Sequence, residues 1–185
     1  MTLLVAGLVL FFALHLIPSI VPLRVGLIDR LGPGRYRGVF SLLAFASLAL
    51  IVWGFGRAPL ESLYAVPGWG RQVAMFAVPV AVVLFAAANM PTHIRAVVRH
   101  PMLLGTLLWA TAHLLSNGDL RSVVLFGSFA AFAVLDFVSV EARGKRPSTE
   151  KAPRLAMDGA AIVAGLVVAG LLTVFHGALF GVPII

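Results

Sequence analysis

The feature that most constrains this chain is a succession of six apolar runs, each close to the roughly 20 residues a helix needs to cross a hydrocarbon core of about 30 Å. They fall at about 2–22, 38–56, 72–90, 101–117, 121–140 and 157–181. A backbone in lipid must satisfy its own hydrogen bonds, so these runs predict helices, and together an all-α, polytopic transmembrane bundle of about six helices. Composition agrees: 61% of residues are apolar and 11% charged, outside the range of soluble domains. The longest polar stretch, Glu141 to Arg154, has too few apolar residues for a core of its own, so one domain is expected over residues 1–185. The first run lacks both the basic flank and the small-x-small site of a cleaved leader, and is expected to remain as the first span. The fourth is short and is expected to extend back through Arg99 or to tilt little.

Charge sets the expected orientation. Loops one, three and five carry eleven Lys and Arg residues, among them Arg37, Arg99, Lys145, Arg146 and Lys151, whereas loops two and four carry three, Arg57, Arg71 and Arg121. Basic loops stay in the cytoplasm, which puts both termini on the outer, periplasmic side. The same placement accounts for the net charge of +7 without nucleic acid as a partner. Gly32-Pro33-Gly34 in loop one reads as a turn, and the aromatic residues Trp53, Tyr64 and Trp69 in and around loop two suit the membrane interface. Ala161, Gly165 and Ala169 in the last run have the spacing that lets helices approach closely.

Polar groups inside spans are costly, so each is a candidate site. Three histidines qualify: His15 in the first run, His113 in the fourth and His176 in the sixth. For any one of them an interhelical hydrogen bond is the competing reading. Three in one small bundle instead suit axial ligation of iron. The chain has no cysteine, which excludes disulfides, thiolate ligation and iron–sulfur clusters. Asp136 supplies a carboxylate within a span but no Glu-x-x-His occurs, so b-type haem is favoured over zinc or di-iron. Phe11, Phe12, Trp109, Leu114 and Phe175 offer an apolar lining. The loop-one arginines, Arg37 among them, are the first cations to consider for the propionates, and Arg99 is the second.

Gly105, Trp109, His113 and Asn117 recur every fourth residue, which predicts one stripe facing protein rather than lipid. At 1.5 Å per residue, His15 and His113 differ by roughly 10 Å in depth, while His113 and His176 both lie toward the outer side.

Together, HLIPS at 15–19, YR at 36–37, WGFGRAP at 53–59, RHPMLLG at 99–105, AHLLSNGD at 112–119 and LFGSFAAFAVLD at 125–136 resemble the bacterial NnrU family of inner-membrane proteins. That resemblance implies an association with nitrite and nitric oxide reduction in denitrifying bacteria. More distantly the chain is similar to plant 15-cis-zeta-carotene isomerase, a membrane enzyme that uses haem b. By motif the two haem ligands of that plant family fall on His15 and on His113, with Trp109 opening the second motif. Ala110 stands where the plant family has a thiol, so thiol-dependent ligand exchange has no counterpart here.

The haem would serve isomerase-like chemistry on an apolar molecule, electron transfer, or nitric oxide sensing. Ligation by two histidines favours electron transfer or gated chemistry, because no coordination position stays open.

Two readings from other classes stand beside this one. RHPMLLG also resembles the RHP-x-x-x-G segment of isoprenylcysteine carboxyl methyltransferases, which implies S-adenosylmethionine contacts at Arg99 and His100. Their paired-Glu motif is matched here only by Glu141. The other is a cofactor-free accessory protein working with a reductase partner or as a homo-oligomer.

Overall fold

A computed structural model describes residues 1–144, 152–182 and 184. Lys145, Arg146 and Lys151, three of the loop-five charges used above, lie outside the described residues. Those described are all-α: five helices are long and apolar enough to cross a membrane, and a sixth, shorter apolar helix accompanies them. The chain is a multi-pass membrane protein, and its helices fall close to the six apolar runs. It divides into two compact units, residues 1–61 and 62–185.

In the first unit, α1 (Thr2–Leu16) ends in a 3₁₀ turn at Ile17–Ser19, α2 spans Val21–Leu31 and α3 spans Pro33–Arg57. The expected first span of 2–22 is thus broken at Pro18 and restarted near Pro22, since proline lacks the N–H that a continuous helix needs. The turn foreseen at Gly32-Pro33-Gly34 contracts to Gly32 alone, at φ 77°; Pro33 already opens α3 with its φ set for a helix. α1 and α3 pack antiparallel through glycine: Gly7 lies against Ile51 and Gly54 against Leu4, with no room for a Cβ at either.

In the second unit, α4 (Gly70–Ala87), α5 (His93–Val98), α6 (Pro101–Ser116), α7 (Leu120–Ala142) and α8 (Leu155–Phe180) follow in order. α4 packs on both α6 and α8, and α6 also packs on α7. The small-residue stripe does what its spacing predicts: Ala161, Gly165 and Ala169 are the buried residues of α8, and a Cβ at Gly165 would strike the Val83 backbone on α4. Gly105 plays the same part on α6, close under Phe85 and Ala81.

α6 does not extend back through Arg99. Val98, Arg99 and His100 form a tight turn in which the His100 N–H donates to the Val98 carbonyl at 2.7 Å, with Arg99 at φ 63° and ψ −53°. This is a γ-turn of the positive-φ kind, rare because it is strained, and Arg99 is the one non-glycine residue at positive φ among those described. At 16 residues α6 is about 24 Å long, short of a full core thickness.

Its C-terminal end is completed by the segment before α4. There the Leu63 and Tyr64 N–H groups donate to the Gly118 carbonyl at 2.8 and 3.2 Å, and Ser62 bridges to Asp119. The loop read as an interfacial connector is therefore, in part, a strap fastened to the α6–α7 turn.

Candidate functional site

His15 lies in the last turn of α1. Its Nδ1–H donates to the Phe11 carbonyl at 2.7 Å, one turn back, and the ring stacks on Phe11 with centroids 4.0 Å apart. Phe40 of α3 meets the imidazole edge-on at 5.6 Å.

His113 repeats the arrangement in the last turn of α6. Its Nδ1–H donates to the Trp109 carbonyl at 2.8 Å, Trp109 lies at 5.1 Å, and Phe126 of α7 stacks on the imidazole at 4.4 Å. Trp109 is itself held edge-on by Phe126 and Phe129. The expected stripe divides, with Gly105 facing α4 and Trp109 and His113 facing α7. Asn117 leaves the helix for extended backbone and returns its Nδ2 to the His113 carbonyl at 2.9 Å.

His176, near the end of α8, donates Nδ1–H to the Val182 carbonyl at 2.5 Å.

A carbonyl oxygen can only accept, so in all three histidines the proton sits on Nδ1, and in the neutral ring the lone pair is then on Nε2. Metal-ligating histidines are held in just this way, one nitrogen donating to a carbonyl so that the other is oriented and more basic. Proteins put this lock on haem and metal histidines alike. It also satisfies half of a buried imidazole without any ligand, so the lock gives fitness for iron rather than iron itself. No group of three or more His, Asp or Glu side chains suited to a metal ion exists among the described residues. A haem, which brings four nitrogens of its own, needs no such group.

The two remaining histidines are bound to carboxylates. His93 Nδ1 lies 2.6 Å from Asp158 Oδ2, joining α5 to α8, and Asp158 Oδ1 also accepts the Ile94 N–H at 3.2 Å. His100 Nε2 lies 3.1 Å from Glu141 Oε1, joining α6 to α7, with Phe137 against the ring. Asp136 pairs with Arg143 at 3.8 Å.

Of the two candidate propionate cations, Arg37 is exposed on α3 and donates Nε–H to the Pro33 carbonyl at 3.2 Å. Arg99 is exposed in its γ-turn, a helix length of roughly 20 Å from His113 along α6. His15 and Arg37 thus belong to the first unit, and Trp109, His113, His176 and Arg99 to the second.

Three residues escaped sequence reasoning. Phe126 lies in the LFGSFAAFAVLD motif, but as one of thirteen phenylalanines it carries no sign that it stacks on His113. Glu141 registered only as half of an incomplete motif. Tyr64 reads in the sequence only as an interface aromatic; in the structure its single hydroxyl proton is shared between the carbonyls of Leu114 and Asn117, the latter at 3.0 Å.

Neither a curated protein nor a solved structure matches this chain. The family described as NnrU protein matches residues 3–184, nearly the whole length, and the chain belongs to that family.

Proposed function

We propose that this NnrU-family protein binds one b-type haem in the bacterial inner membrane, whose iron the Nε2 of His113 would hold. The observation that carries the proposal is the shared lock on His15, His113 and His176, each with Nδ1 committed to a carbonyl. His113 is common to both pairings open to the protein. The pairing implied by the plant isomerase resemblance takes His15 as the second ligand; the alternative takes His176, which carries the same lock and lies in the same unit as His113.

When bound, the haem supplies one-electron chemistry at iron. The chain's own part is to orient imidazoles through Phe11, Trp109 and Val182, to exclude water with Trp109 and Phe126, and to offer Arg37 and Arg99 to the propionates. Arg99 is the weaker of the two, being a helix length from His113. Ligation on both faces fits electron transfer, or gated chemistry on an apolar molecule or nitric oxide, within nitrite and nitric oxide reduction. Both termini face the periplasm in this proposal, as the loop charges predict.

The test is to express the protein with ample haem, purify it in mild detergent and record oxidised and reduced spectra of the wild type and the His15→Ala, His113→Ala and His176→Ala variants. We expect a Soret band in the wild type, its loss in His113→Ala, and a change in one of the other two that names the second ligand. No Soret band in the wild type would refute haem binding.

One observation favours a second reading. The His100–Glu141 contact joins the RHP segment to the acidic residue that the methyltransferase resemblance implies. Saturable S-adenosylmethionine binding that is lost in Arg99→Ala would support it.

A further inference from the structure

We infer that Tyr64 is a positioning residue for His113, acting through the last turn of α6; the inference takes from the proposal above only that His113 is the ligand being positioned. A helix that ends inside or near the membrane leaves its final carbonyls without intrahelical donors, and water is scarce there to replace them. α6 ends at Ser116, three residues after His113, and Asn117 turns away at φ −137° and ψ 112°.

Side chains and the strap supply the missing donors. Ser116 Oγ donates to the Ala112 carbonyl at 3.0 Å and lies 3.2 Å from that of Gly70. Asn117 Nδ2 donates to the His113 carbonyl. The Tyr64 hydroxyl, brought from 50 residues before Leu114 and 53 before Asn117, serves both. The strap's own N–H groups serve Gly118.

Tyr64 reaches the helix end from the strap, and the carbonyls it holds, Leu114 and Asn117, both lie within the four residues that follow His113. His113 opens that last turn, while its Nδ1–H donates to the Trp109 carbonyl one turn back, so the ring spans the held turn and the one before it. Fraying of that turn therefore tilts the ring and re-aims Nε2. The strap's bonds given above go to the end of α6 and the α6–α7 turn, so the effect is expected at His113.

The test is Tyr64→Phe, which keeps the ring and removes the hydroxyl. Two readouts are taken. The first, on haem-free protein in detergent, is the rate at which diethyl pyrocarbonate modifies each histidine, followed by mass spectrometry. The second, on haem-loaded protein, is the midpoint potential and the position of the reduced α-band. Modification of His113 is expected to quicken severalfold with His15 and His176 unchanged, and the potential and band are expected to shift while haem is retained. Asn117→Leu, which removes the donor to the His113 carbonyl, should act in the same direction.

Unchanged His113 modification in both variants, or equal acceleration at all three histidines, would overturn the inference. A selective change at His113 in a protein that takes up no haem supports the positioning role and sinks the haem proposal alone. A Soret band with neither rate nor potential altered sinks the positioning role alone.

Discussion

Arg99 carries the most telling backbone strain in the molecule. Its γ-turn conformation costs about 1–3 kcal/mol in a residue with a Cβ. Replacing it with glycine removes that strain against roughly 0.5–1 kcal/mol of added chain freedom in the unfolded state. Arg99→Gly should therefore raise the thermal midpoint in detergent while removing the cation. A lower midpoint would mean that the guanidinium stabilises the fold by more than the turn strains it. The three locked histidines are the other residue-scale result. Their identity and depth in the apolar runs were legible in the sequence, because an imidazole in a span stands out chemically. The lock itself was only half legible: an acceptor one turn back exists for every helical residue, and whether a ring turns toward it depends on Phe126 and Phe40, which arrive from other helices.

At the scale of elements, close helix approach is set by glycine, and the sequence showed it wherever small residues recur at four-residue spacing. Gly165→Leu should drive α8 off Val83 and cost about 1–3 kcal/mol, read as a lowered thermal midpoint. Gly170→Leu on the same helix, where a Cβ meets nothing within 4 Å, should leave it unchanged. Helix ends were less legible. Asp119 caps α7 by accepting the Ser122 N–H at 3.0 Å and the Ser122 hydroxyl at 2.7 Å, so Asp119→Ala should destabilise by about 1 kcal/mol, again by thermal melting. The break at Pro18 sits in a run whose hydropathy continues unbroken, which is why hydropathy drew α1 too long, whereas the extension of α6 through Arg99 was expected from the shortness of its run and is excluded by the turn at Val98–His100. The strap escaped for a different reason: its bonds join Leu63 and Tyr64 to Gly118, partners that no local pattern connects.

For the whole molecule, the apolar runs were sufficient to read a multi-pass helical protein, and the motif set was sufficient to read the NnrU family. Orientation rests on the distribution of basic residues, and the absence of cysteine makes it directly measurable. A single cysteine at Glu61 should react with an impermeant maleimide on intact spheroplasts, and one at Gly144 only after permeabilisation; the reverse would place both termini in the cytoplasm. Function turns on whether His113 carries iron, which no pattern of residues decides alone, since the same lock also satisfies an imidazole that only packs. The most direct measurement is rescue of a cavity at that position. His113→Gly, purified from haem-supplied cells, should lose the wild-type Soret and α-bands, and millimolar imidazole added to the detergent solution should restore them. Wild-type bands in His113→Gly without imidazole would contradict the account.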